Sequence, residues 1–321
     1  MKTGVLADLS PFAKLLFVIL LVIAGFIIFF LAGILLAIPL YHVNLLTNMN
    51  VLSEYNDPKS VSILKYFQVI QSIGFFIIPS LLAGWFFEAT PASYLKINRS
   101  SPVILFTLVV VIMFVSLPAI NWTISLNEMM KLPEAFQGIE QWMKDTEEQA
   151  AQLTTAFLNT ETIRGLAVNL FMIALLPAIG EEMLFRGILQ RLFSEWFRNA
   201  HVAILFTAFI FAAIHLQFYG ILPRMLLGAL FGYLFWWSGS LWVPIFAHFL
   251  NNGAAVVMSF LASRNVIAQD YEDFGSTDNV LFIVGSMVVT GLFLYWIYRL
   301  RVKEDYTVVH RDYTEIYREN K

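Results

Sequence analysis

The sequence predicts an all-α polytopic membrane protein of about eight transmembrane helices, with both termini in the cytoplasm. Three observations carry that prediction. Of 321 residues, 59% are hydrophobic and only 13% charged, against about 25% charged in an ordinary soluble domain. Apolar stretches of about 20 residues, the length that crosses a bilayer, recur along the whole chain. The basic residues gather in alternate connections between those stretches, as the positive-inside rule requires. The composition also excludes chemistry. Without cysteine there are no disulfides, thiolate zinc sites, iron–sulfur clusters or thiol nucleophiles. A net charge of −3 gives no basic footprint for nucleic acid.

The spans follow in order. The first runs from about Ala13 to Leu40; its apolar run is about twice a signal-peptide core and no small-x-small pattern follows, so it reads as uncleaved. The second covers about Leu64 to Phe87 and the third about Pro102 to Ile120. The stretch 121–164 is acidic (Glu128, Glu134, Glu140, Asp145, Glu147, Glu148 and Glu161 against Lys131, Lys144 and Arg164) and reads as an outer loop. Within it Pro133 to Leu158 has helical spacing, with Phe136, Ile139, Met143, Leu153 and Phe157 apolar: a helix on the membrane surface, a cap on the fold, or a solvated connection. Asn121-Trp122-Thr123 matches a glycosylation sequon.

The fourth span starts near Gly165 and reaches Glu181, and the basic stretch after it holds Arg186, Arg191 and Arg198. The fifth is about Val202 to Phe218. The sixth, about Met225 to Trp237, is short and carries Gly228 and Gly232 at the spacing of close helix packing. The seventh runs from about Leu241 to Ala262 and the eighth from about Asn279 to Leu300. The loop 263–278 is acidic (Asp270, Glu272, Asp273, Asp278), whereas the tail holds Arg299, Arg301, Lys303, Arg311, Arg318 and Lys321 and the loop 88–101 holds Lys96 and Arg99. Eight spans put every basic connection inside and every acidic one outside.

Ionisable groups at membrane depth are costly and mark function by default. They cluster in three places. In Glu181-Glu182-Met-Leu-Phe-Arg186, Glu182 and Arg186 share a helix face at i, i+4 and can pair, while Glu181 is turned about 100° away. One carboxylate is then neutralised and the other free, as a general base and its support require. His215 follows Phe211 by four residues in the fifth span. His248 and Asn252 project from one face of the seventh and together resemble a pair of oxyanion donors. Each group alone has a plainer reading: interfacial acids at a span end, a packing histidine, hydrogen bonding between helices. A shared site demands one thing more. Glu181 reaches the depth of His215 and His248 only if its helix continues past Arg186 toward Phe197.

These residues resemble the CAAX protease and bacteriocin-processing family, called CPBP or Abi, which includes the type II CAAX prenyl proteases. The family pattern is EExxxR, then FxxxH, then HxxxN on successive membrane helices. It is met here by Glu181, Glu182 and Arg186, by Phe211 and His215, and by His248 and Asn252, over roughly the stretch 166–260. The resemblance implies an intramembrane endopeptidase acting on membrane-associated or lipidated peptides and proteins. Glu181 would activate water with the help of His215. His248 and Asn252 would stabilise the oxyanion, Glu182 and Arg186 would orient the site, and Phe211 would pack beside it. Family members are often labelled metalloproteases, and zinc through Glu181, His215 and His248 is the corresponding cofactor. The absence of HExxH and the poor zinc affinity of Asn favour a metal-free glutamate mechanism, with no cofactor. The implied organisation is N-terminal membrane helices over 1–120, the acidic loop over 121–164, the catalytic core over 165–262, a loop and last helix over 263–300, and a charged tail over 301–321. The acidic outer loops agree with a bacterial cytoplasmic membrane. An ion- or proton-coupled transporter, or a non-catalytic immunity or secretion factor, would use the same polar residues differently.

Overall fold

The computed structural model describes residues 4–129, 132–268 and 274–304, the side chains of Glu128 and of 301–304 excepted. Lys131, Asp270, Glu272, Asp273, Arg311, Arg318 and Lys321, and the side chains of Glu128, Arg301 and Lys303, all used in the charge argument, lie outside the described residues.

The described residues are helical throughout, without a strand. Helix α1 spans Pro11–Tyr41 and α2 Pro58–Glu88. Helices α3 (Val103–Val115) and α4 (Leu117–Asn127, with Glu128 ending the helix) form one apolar segment bent by 47°. Helix α5 is Gln137–Leu158, α6 Ile163–Phe197 and α7 Ala200–Ala213. Helix α8 is Ile221–Ser238, α9 Trp242–Ser263 and α10 Val280–Glu304. Six stretches are long and apolar enough to cross a membrane, and the bent α3–α4 pair counts as a seventh. The fifth expected span differs most: α7 is apolar but only 14 residues long, and it stops at Ala213, well before Phe218.

Polar caps set the helix starts. Ser10 caps α1, Asp57 caps α2, Thr162 caps α6 and Asn199 caps α7, each accepting backbone N–H groups of the first turn that would otherwise lack partners. At Asp57 the Ser60 N–H, followed by its hydroxyl, holds the carboxyl below its ordinary value. Prolines shape the interiors. Pro79 in α2 and Pro177 in α6 each follow a π-helical turn, Ile73–Ile77 and Leu170–Leu175. Proline lacks an N–H and its ring crowds the carbonyl four residues earlier; a widened turn lets the helix continue past it. A third π-turn, Met183–Leu189, has no proline and surrounds Arg186. The fourth expected span therefore does not end at Glu181. It runs on to Phe197, which is the continuation a shared site demands.

Helix α6 is the axis of the fold. Its C-terminal half packs on α7, which forms a hairpin with α8, and its N-terminal half packs on α9. Helices α1 and α2 flank it on one side, where Val18, Phe87, Ala178, Leu184 and Ile188 form a buried cluster. Helices α3 and α10 flank α8 and α9 on the other, around Leu108, Ile112, Phe231, Val243 and Ile297. The outer faces are apolar too: Leu20 and Leu35 on α1 and Leu281 and Leu292 on α10 are exposed, as lipid-facing surfaces should be. Asn121 of the sequon donates from its amide to the Phe274 carbonyl (3.0 Å) and the Ser276 hydroxyl (3.1 Å).

Candidate active site

The continuous α6 brings the three polar groups of the sequence together between the two apolar clusters. Glu182 and Arg186 are both fully buried and pair at 2.7 Å across one turn. A second guanidinium nitrogen, Nη2, donates to the Gly228 carbonyl of α8 at 2.9 Å. One turn further along both helices, Gln190 Nε2 donates to the Gly232 carbonyl at 3.1 Å. Two glycines four residues apart thus let α8 approach α6 closely enough for two side chains to read its backbone. A Cβ at Gly232 would lie 2.8 Å from both Gln190 Oε1 and Ile204 Cγ2, so no larger residue fits without a shift. The guanidinium carbon stands 4.8 Å from the Phe211 ring centre and 5.4 Å from that of Phe231. Cation–π contact and a carboxylate together compensate the buried charge.

His248 links the two acids. Its Nδ1 lies 2.8 Å from Glu182 Oε1, and its Nε2 faces Glu181 Oε2 at 3.8 Å. A carboxylate only accepts, so Nδ1 carries hydrogen toward Glu182. Phe231 stacks on the imidazole at 5.2 Å and 22°, fixing its plane. Glu181, on the next face of α6, is partly open, and its Oε2 makes no hydrogen bond. His215 is held differently. Its Nδ1 lies 2.7 Å from the Phe211 carbonyl, which accepts, so the neutral ring presents Nε2 as an acceptor. Both Glu181 and His248 act electrostatically on it. Phe211 packs edge-on against His215, His248 and Phe185, at 4.9, 6.0 and 5.1 Å. Asn252 donates from Nδ2 to the Ile173 carbonyl at 3.2 Å, and its Oδ1 accepts from Asn251 Nδ2 at 3.2 Å. That orientation leaves one amide hydrogen of Asn252 uncommitted.

Contacts link Glu181, Glu182, Arg186, Phe211, His215 and His248, whereas Asn252, one turn beyond His248 on α9, meets Ile173 and Asn251 instead. His215 is not on a helix, however, since it lies beyond the end of α7. Sequence reasoning missed Phe231, Gln190 and Asn251. Phe231 looks like any apolar residue of a span, Gln190 reads as cytoplasmic when the fourth span ends at Glu181, and Asn251 is masked by its neighbour Asn252. Zinc would need Glu181, His215 and His248 to converge on one ion. Among the described residues no group of three such side chains is so arranged; the two histidines use Nδ1 on the Phe211 carbonyl and on Glu182 and leave Nε2 available.

Residues 163–254, which hold all seven motif positions, match the family model described as Type II CAAX prenyl endopeptidase Rce1-like. Two curated proteins of Bacillus subtilis (strain 168) are similar. "Uncharacterized protein YpbD" is 35% identical over 89 residues, 26% of this chain and 41% of that protein. "Putative membrane peptidase YdiL" is 26% identical over 134 residues, 42% of this chain and 50% of that protein. The similarity thus spans half or less of either relative's length. No solved structure matches the chain. The resemblance carried by the three motifs and the family model fall on the same stretch, and the segment 163–254 is similar to the Rce1-like type II CAAX prenyl endopeptidases.

Proposed function

We propose that the chain is an intramembrane endopeptidase that hydrolyses peptide bonds of membrane-associated peptides or proteins, CAAX-type or other, in a bacterial cytoplasmic membrane. One observation carries this reading. Glu181 Oε2 has no hydrogen-bond partner and sits beside His248 Nε2 (3.8 Å), with the acceptor nitrogen of His215 in the same cluster. Water placed there would donate one hydrogen to His215 Nε2 and lose the other to Glu181 as its oxygen attacks the scissile carbonyl. The resulting oxyanion would be met by the uncommitted amide hydrogen of Asn252 and by His248 Nε2–H, His248 acting as an imidazolium that carries a hydrogen on each nitrogen, with Nδ1–H on Glu182. Glu181 would then pass its proton to the departing amine as the C–N bond breaks. Glu182 and Arg186 hold His248 in place. Each step uses these side chains alone, with none routed through a metal.

The test is cleavage by protein reconstituted in lipid nanodiscs, offered a library of membrane-inserted and lipidated peptides and read by mass spectrometry. Wild type should release fragments and Glu181→Gln none. An inert wild type, together with solute flux in liposomes abolished by Glu181→Gln, would overturn the proposal in favour of a transporter.

A further inference from the structure

His215 is the one member of the cluster without a helix to hold it. Helix α7 ends two residues before it, and the next residue, Leu216, has φ +52°, a left-handed conformation unusual for a bulky side chain. The ring therefore depends on whatever holds the turn 214–220. Much of that hold comes from outside the segment that matches the family model. Asn127, near the end of α4 and 2% exposed, reaches the turn with both ends of its amide. Its Nδ2 donates to the Phe218 carbonyl at 2.8 Å, and its Oδ1 accepts the Leu222 N–H at 2.7 Å. Leu222 is in the first turn of α8, and Gly220 before that helix has no side chain to cap it. Asn127 thus caps α8 from another helix and pins the turn preceding it in one stroke. An amide does both from one planar group, whereas a carboxylate cannot donate and an alkyl group does neither. Helix α5 supports the same turn: Trp142 packs on Phe218 (5.1 Å) and Glu147 accepts the Tyr219 N–H (3.4 Å).

We infer that Asn127 is a positioning residue for His215, setting the place of its imidazole through the 214–220 turn; this rests on the reading of Glu181 and His215 as the water-activating pair. The outer α4–α5 region is then part of the catalytic apparatus and not only a connection. Misplacing a catalytic group by about 1 Å costs up to about 100-fold in rate. Asn127→Ala should therefore lower kcat about 10- to 100-fold with little change in KM. In a His215→Ala background the same substitution should cost about twofold or less, because its effect runs through the missing ring.

A second readout is independent of proteolysis. The chain has five histidines, so selective ring labelling gives few NMR signals, and His215→Ala identifies that of residue 215. Asn127→Ala should shift or broaden that signal. If Asn127→Ala does not fold, Asn127→Asp, which keeps the acceptor and removes the donor to Phe218, is read in the same way. An unmoved His215 signal, or equal kcat losses with and without His215, would overturn the inference. Should wild type cleave nothing, the proteolytic reading fails and the His215 signal still decides whether Asn127 positions the ring.

Discussion

His248 makes the two acidic residues of the cluster inequivalent. Glu182 is fully buried and its Oε1 meets both Arg186 and His248, at 2.7 and 2.8 Å, whereas Glu181 is 14% exposed and has His248 Nε2 near it at 3.8 Å; the Oε2 of each acid lacks a hydrogen-bond partner. Substitutions should divide accordingly. Glu181→Gln should cost at least about 100-fold in cleavage rate, the lower range of general-base catalysis, while leaving the unfolding midpoint in detergent unchanged. Arg186→Leu strips a fully buried carboxylate of its cation and should destabilise the protein by about 3–5 kcal/mol, visible as a lower midpoint in a denaturation series. Treatment with a chelator, followed by elemental analysis, should leave cleavage intact and find no stoichiometric zinc; loss of activity restored by zinc would return the site to the metallo class.

At the scale of the element, the motif residues were legible in the sequence because lipid makes every polar side chain at depth conspicuous. Glu181, Glu182, His215, His248 and Asn252 stand out against runs of Leu, Ile and Phe. How the backbone presents them was not. Nothing around Ile214-His215-Leu216 announces a helix end, since no glycine or proline stands there and the left-handed residue is a leucine. The acids suggest an end to the fourth span because hydropathy averages over Glu181, Glu182 and Arg186, although Glu182 and Arg186 cancel in a buried pair that lets α6 continue. Asn127 reads as a loop residue because hydropathy closes the third span at Ile120, whereas the segment bends near Ser116 and continues as a helix through Asn127. The glycine pair was legible and its use was not: the Gly228 and Gly232 carbonyls accept from Arg186 and Gln190. Gly232→Val should cost about 1–3 kcal/mol by overpacking against Gln190 and Ile204, with lower thermal stability and an accompanying fall in activity.

At the scale of the molecule, the orientation set by the charged connections can be checked because the chain has no native cysteine. An impermeant maleimide should label Glu148→Cys in intact cells, whereas Arg198→Cys should react only after permeabilisation. Equal labelling would reverse or break the topology. The π-turn of α6 at Leu170–Leu175 divides that helix into an outer part, where Asn169 joins Lys65 (2.9 Å) and the Phe157 carbonyl (2.8 Å), and an inner part bearing the acids. Such a turn holds one residue more than the helix around it needs. Deleting a single residue there would therefore return α6 to a regular helix and keep both flanks in register, with Asn169 still facing Lys65 and Glu182 still on Arg186. For this protein that turn is the place where α6 can lose a codon without re-aiming either part, whereas a deletion in its regular turns would act as a rotation.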